Sequence, residues 1–299
     1  MQIRAIINQK GGVGKTTTSV NLGAALAEQG QKVLVVDLDP QGNLSTHVGL
    51  TIHELERTMY DVLTQGTPMK DVLQETGIQG LYCIPSNIDL SGAEVEIVSA
   101  VGRETLLKEA LEDLNESMET PFDHVIIDCP PSLGLLCINA LAAAEEVLVP
   151  MQTEFFALQG MGKLMEVIEI VKRRINPILT LGGIIACRVD PRTRLSFEVL
   201  EEIENHFPDG LFQTRIRQNI KLAEAPSFGQ TIMEYAAESN GAADYRALAR
   251  EFLNKTSGVS ATTGETATPD EVPATDEAVA SPSEATDASP AQAADGLAS

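Results

Sequence analysis

The sequence predicts an α/β protein with a doubly wound, mostly parallel sheet and helices on both of its faces. Three features predict it: short β-branched runs that end on a loop or an aspartate, stretches of helical spacing between them, and a glycine loop joining the first strand to the first helix. The chain has 299 residues, 43% of them hydrophobic, enough for one large core. We divide it into a folded domain at 1–255 and an acidic segment at 256–299.

Ile3 to Ile7 reads as a short buried strand, and Thr16 to Gln29 as a helix with Val20, Leu22 and Leu26 among its apolar positions, closed by Gly30. Between them, Gly11-Gly12-Val13-Gly14-Lys15-Thr16-Thr17 reads as a phosphate-binding loop, so the predicted fold is that of a P-loop NTPase. Glycines 11, 12 and 14 let amide N–H groups crowd around an anion, and the N-terminus of the following helix adds its dipole. Lys15 would reach the β- and γ-phosphates and the Thr16 hydroxyl would ligate Mg²⁺, which makes ATP and magnesium the expected cofactors. The usual pattern, G-x-x-x-x-G-K-[ST], asks for a glycine where this chain has Gln9, and a second lysine, Lys10, stands near the start of the loop.

The next strand, Lys32 to Asp37, delivers two carboxylates, Asp37 and Asp39, to its C-terminal end, where open α/β sheets hold ligands. His124 to Asp128 is a further β-branched run, and Asp128 before Cys129-Pro130-Pro131-Ser132 reads as the aspartate that orders a magnesium shell. A strand at Val147–Pro150 and a helix at Ala157–Arg174 follow.

Formal charge is −22, distributed unevenly: 8 basic against 21 acidic residues in 1–149, 13 against 14 in 150–255, and none against 8 in 256–299. The last segment is built almost entirely from Ala, Ser, Thr, Pro, Gly, Asp and Glu with no aromatic residue, a composition that cannot offset chain entropy, so a disordered acidic tail is expected. Four cysteines without a C-x-x-C pair point to reduced core thiols rather than to a metal cluster. No signal-like or spanning segment is visible, which points to the cytoplasm.

Five blocks in order, Lys10 to Thr17, Asp37-Leu-Asp-Pro-Gln-Gly-Asn43, Ile127-Asp-Cys-Pro-Pro-Ser132, Glu154-Phe-Phe-Ala-Leu-Gln-Gly160 and Leu222-Ala-Glu-Ala-Pro-Ser-Phe-Gly229, resemble the ParA/Soj family of partitioning ATPases, within the deviant Walker A superfamily. The resemblance runs from Gln2 to about Leu253. It implies an ATP-dependent sandwich homodimer in which Lys10 of each subunit touches phosphate bound by the other. Asp39 would orient the attacking water, and turnover would be slow until a ParB-like centromere-binding partner stimulates it. It also implies nucleoid association through non-specific binding of double-stranded DNA, with Arg192 and Lys221 at the family's DNA-contacting positions. Asn219 aligns with the residue that reads the adenine edge. This chain has Arg217 where the family usually has proline, so that Arg217 is free to stack on the base, to extend the basic patch or to tolerate a looser turn.

Two other functions compete. A MinD-like membrane cycle needs a basic amphipathic C-terminal helix, which residues 256–299 do not encode. A ParA-like ATPase that positions some other cargo on the nucleoid would carry the same motifs.

Overall fold

The computed structural model of the chain describes residues 1–154, 159–208 and 210–256. β1 (Gln2–Ile6) runs through the glycine loop into α1 (Lys15–Glu28), followed by β2 (Val33–Asp37), α2 (Asn43–His47), α3 (Met59–Gln65), the two-residue β3 (Gln74–Glu75) and β4 (Leu81–Ile84). α4 (Leu90–Glu96) and α5 (Leu106–Ser117) precede β5 (His124–Asp128), and α6 (Leu135–Ala143) precedes β6 (Glu146–Gln152). Next come α7 (Gln159–Arg174), β7 (Thr180–Cys187), α8 (Arg194–His206), α9 (Ile220–Glu224), α10 (Ile232–Tyr235) and α11 (Asn240–Thr256).

The sheet order is β3-β4-β2-β5-β1-β6-β7. Every neighbouring pair is parallel except β3 with β4. The expected doubly wound sheet is therefore present, with an antiparallel stub at one edge. The expected strands agree with the observed ones to within a residue or two at each end. The start of the helix expected at Ala157 lies outside the described residues, as does the expected tail beyond Thr256.

Alternation along the strands builds two cores. Ile3 and Ala5, Leu34 and Val36, and Val125 and Ile127 face one side, where α3 to α7 contribute Leu63, Leu111 and Leu164. Ile6, Val33, Val35 and Ile126 face the other, against Val20 and Leu22 of α1 and Tyr245, Leu248 and Phe252 of α11. Each Val, Leu, Ile or Phe side chain among them stabilises the fold by roughly 1.5–3 kcal/mol on burial, so continuous apolar strands are what a sheet covered on both faces requires. All four cysteines are free and buried, as core packing requires.

Topology locates the site. From β1 the chain crosses to the β2 side of the sheet, whereas from β5 it crosses over β1 to β6 and β7. Ligands of open α/β sheets lie at such a switch point, beyond the carboxyl ends of the strands. There Asp128 is the register partner of both Ile6 and Asp37.

Candidate active site

Gly12 and Gly14 have φ of 72° and 100°, the left-handed region that glycine reaches without strain. Gly14 is the N-cap of α1 and supplies no side-chain cap, so the first amides of the helix are left to an external acceptor. Val13 is buried and anchors the loop to the core. The end of β6 braces the other side. Asn8 Nδ2 donates to the Pro150 carbonyl at 2.8 Å, and Gln152 Nε2 donates to the Gly12 carbonyl at 2.6 Å. Lys15 is only 8% exposed. Gly11, Lys15, Thr16, Thr17, Asp39 and Pro131 line one cavity of about 590 Å³.

Beneath that cavity sit two buried carboxylates. Asp128 accepts a hydrogen bond from Thr16 Oγ1 at 2.6 Å and another from Ser19 Oγ at 3.0 Å. Asp37 Oδ2 accepts from the Ser45 amide at 2.9 Å and from Ser45 Oγ at 2.7 Å, and Asp37 Oδ1 accepts from the Asp39 amide at 3.2 Å. Burial pushes the Asp128 carboxyl up to about 7; the neighbouring Asp37 charge adds to this, and the Thr16 and Ser19 hydrogen bonds and the Lys15 charge oppose it. Asp37 is pushed up to about 6, again chiefly by burial, against its bonds from Ser45. Two crowded, dehydrated carboxylates beside a hydroxyl form a donor set that a hard divalent cation suits, so Thr16 and Asp128 fit magnesium. Asp39 reaches the same cavity on the turn after β2, where its Oδ1 accepts from the Gln41 amide at 3.0 Å.

A second cavity, of about 360 Å³, opens on the other side of the loop and is lined by Gly12, Thr17, Arg217, Asn219, Ile220 and Tyr245. Thr17 and Gly12 border both cavities, so the two together form one continuous surface around the glycine loop. Asn219 caps α9, its Oδ1 accepting from the Lys221 amide at 2.8 Å, which leaves its amide nitrogen to face a ligand. Arg217, which lines this cavity, pairs its guanidinium with Asp244 of α11.

Arg192 and Lys221, and the arginines at 194 and 215, are also paired. Arg192 is held by Asp190 at 2.9 Å, Arg194 by Glu198 at 2.7 Å, Arg215 by Glu204 at 3.0 Å and Lys221 by Glu224 at 2.8 Å. They differ in exposure: the Arg192 side chain is 86% exposed and Lys221 51%, against 21% for Arg215. A parallel bridge between Val189 and Arg217 sets the segments that carry Arg192 and Lys221 side by side. Lys10 is paired as well, within its own chain, with Glu154.

This arrangement has known counterparts. A family model described as an AAA domain matches residues 1–181. The sporulation initiation inhibitor protein Soj of Bacillus subtilis (strain 168) is 45% identical over 250 residues, 84% of this chain and 97% of its own. The chromosome partitioning protein ParA of Caulobacter vibrioides (strain NA1000 / CB15N) is 43% identical over 255 residues, covering 85% and 95% of the two chains. The chain belongs to the ParA/Soj family of ATPases. Among solved structures, cobyrinic acid a,c-diamide synthase from Mycobacterium smegmatis with bound ADP and magnesium superposes with a TM-score of 0.75 at 38% identity, covering 86% of this chain and 96% of that one.

Against the ParA/Soj motifs, the structure brings Lys15, Thr16 and Asp39 to one cavity, with Asp128 hydrogen-bonded to Thr16 beneath it, and Asn219 to the adjoining one, while Arg192 and Lys221 lie outside both. Sequence reasoning missed Ser19, Ser45, Gln152 and the Arg217–Asp244 pair. Ser19 stands one helical turn after Lys15, on the face that meets β5, and that spacing was the available signal. Asp244, 27 residues from Arg217, gave none. Among the described residues there is no cluster of three or more His, Cys, Asp and Glu side chains that could hold a metal alone, and no helix is long and apolar enough to cross a membrane.

Proposed function

We propose that residues 1–255 form an ATPase of DNA segregation that binds ATP and Mg²⁺, dimerises, and binds double-stranded DNA without sequence preference. The observation that carries this reading is the shared cavity of Lys15, Thr16 and Asp39 over Asp128, with Asn219 bordering the adjoining one. Gly11, Gly12, Val13, Gly14 and Thr17 supply the phosphate cradle, Lys15 meets the β- and γ-phosphates, and Asn219 offers its amide nitrogen to an acceptor on the adenine edge. Thr16 and Asp128 hold the magnesium shell, and the ion when bound neutralises phosphate charge. Asp39, on the turn after β2, orients the attacking water.

Lys10 acts across the dimer. Its partner Glu154 is on its own chain and both side chains are about half exposed, so the pair is weak and readily exchanged for a phosphate of the second subunit. The same reasoning selects the DNA contacts. The Arg192 and Lys221 pairs are exposed and screened by salt, and a polyanion that releases counterions competes with them effectively. The Arg217 pair, anchored by a carboxylate with only 9% exposure, stays closed.

In this reading a ParB-like centromere-binding partner stimulates hydrolysis, the dimer dissolves, and the protein cycles on and off the nucleoid in the cytoplasm. Positioning of another cargo is the alternative. The test is binding to random-sequence duplex DNA at about 100 mM salt with ATP, with ADP and without nucleotide, beside the Arg192→Ala/Lys221→Ala variant. ATP-dependent binding that the double variant loses at this salt is expected, with a shallower salt dependence where its residual binding is measured at lower salt. No binding in any nucleotide state, despite dimerisation, would overturn the DNA half of the proposal.

A further inference from the structure

Away from the nucleotide cavities, the face built by α3, α4 and α5 carries an apolar feature that the ATPase cycle does not use. Val95 at the end of α4, Val98 in the turn that follows and Val101 just beyond that turn are 76%, 52% and 100% exposed, a ridge of three large apolar side chains close together in the chain. Beside the ridge lies a groove of about 540 Å³ whose floor includes Leu63, Met69, Ile97 and Leu114. Its rim carries Glu96, Glu109 and Asp113, with Lys70 the one cation among them. Over residues 88–117 the chain has eight carboxylates and two basic residues. An exposed apolar patch with a charged rim marks a protein interaction surface, and the charge decides the occupant. A second copy of this chain would set one acidic rim against another, whereas a basic segment would be complemented.

The ridge is also wired to the site. Glu94, one residue before Val95, caps the start of α6: its Oε1 accepts from the Leu136 amide at 3.0 Å. Glycine at 134 is what allows this approach, because a Cβ there would lie 2.3 Å from that oxygen. A second tie comes from Asn139 of α6, whose Oδ1 accepts from the Leu107 amide at 3.1 Å and whose Nδ2 donates to the Arg103 carbonyl at 2.7 Å. The segment 94–107 is thus fastened to α6 at both ends. The loop leading into α6 contains Pro131, which lines the cavity with Lys15, Thr16 and Asp39.

We infer that the α3–α4–α5 groove and its valine ridge form the docking surface for a basic amphipathic helix of a partner protein, and that Glu94 relays docking to the loop after Asp128. The leucine-like face of such a helix covers the ridge and fills the groove, and its cations meet Glu96, Glu109 and Asp113. The relay half of the inference rests on the ATPase reading above; the docking half does not.

The test uses the full chain and a synthetic amphipathic peptide with leucines on one face and lysines and arginines on the other. Its control carries glutamates in place of the cations. Fluorescence anisotropy should show binding of the basic peptide only, weakened about tenfold or more in both Val98→Asp/Val101→Asp and Glu109→Lys/Asp113→Lys. The basic peptide should raise ATP turnover in the wild type but not in Glu94→Ala, which removes the acceptor for the Leu136 amide and should still bind the peptide. Equal affinity for the wild type and both double variants would overturn the docking surface, and full stimulation of Glu94→Ala would overturn the relay. Loss of ATP-dependent self-association in Val98→Asp/Val101→Asp, with peptide affinity unchanged, would assign the ridge to a second copy and sink the proposal. ATP-dependent DNA binding is measured on the same samples. Its retention with no peptide binding counts against the groove alone, and its absence with peptide binding intact counts against the proposed function alone.

Discussion

The guanidinium of Arg217 closes on the Asp244 carboxylate, with Nε 3.1 and 3.0 Å from the two oxygens and Nη2 2.6 Å from Oδ1, while the Arg217 amide donates to Oδ2 at 2.9 Å. A proline at this position could make none of these bonds, so the chain replaces the rigidity of a ring with a charge clamp between the base-side loop and α11. Arg217→Ala should cost about 1 kcal/mol of stability or slightly more, because Asp244 is left nearly buried while Arg217 is itself 42% exposed. Nucleotide affinity should fall as Asn219 loses its fixed backbone, and Arg217→Pro should be worse unless Asp244 is also replaced. Urea unfolding and titration with a fluorescent ATP analogue check both effects.

In the sandwich dimer that the family resemblance implies, valine at position 12 would crowd the second subunit against the loop. Gly12 has φ of 72°, so valine there also strains the loop, by roughly 1–2 kcal/mol. Gly11 is exposed, is not in the left-handed region, and has open space where a Cβ would stand. Gly11→Val should therefore keep nucleotide binding and lose ATP-dependent dimerisation on a sizing column, whereas Gly12→Val should weaken both.

Asp39 accepts from the Gln41 amide, so Asp39→Ala removes a turn contact as well as a carboxylate. Asp39→Asn retains an acceptor and isolates the charge. Both should slow single-turnover hydrolysis by about a hundredfold or more while holding the ATP dimer on DNA. Lys15→Ala should instead lose nucleotide binding. An Asp39→Asn protein that remains monomeric with ATP would remove the water-orienting role.

His47 lines the phosphate-side cavity but is only 1% exposed, and its Nε2 has no partner among the described residues. Burial holds its imidazole down at about 4, with a bond to the Gln230 backbone working the other way. The unfolded chain therefore binds this proton first. Stability tied to His47 is complete above pH 6.5 and is lost as pH falls from 6.5 towards 4, by on the order of 3 kcal/mol. Denaturant melts of the wild type and His47→Gln over that range should converge as the pH drops. Asp37 and Asp128, raised by burial, act in the opposite direction in both proteins and cancel in the difference.

Much of the site is legible in the sequence because its parts are local. A phosphate cradle is a run of consecutive amides, so Gly11 to Thr17 declare it in one stretch, and Asp37 and Asp128 declare themselves as aspartates ending β-branched runs. Strand register then made them neighbours, as apolar alternation on both faces required. Pairing across long sequence separations was not legible. Lys10 with Glu154, Gln152 with the Gly12 carbonyl and Arg217 with Asp244 join residues 144, 140 and 27 positions apart, and no periodicity reports such contacts.

By itself, then, the sequence determined the fold class, the phosphate loop and the order of the carboxylates, because these follow from torsional freedom, hydrophobic period and chain order. Only the tertiary structure decided which basic side chains are bound tightly and which are exchangeable. It also decided that a valine ridge stands exposed beside an acidic groove, and that Glu94 ties that ridge to α6. Burial and pairing depend on what the rest of the fold brings within a few ångströms, and that is a property of packing rather than of any one stretch of chain.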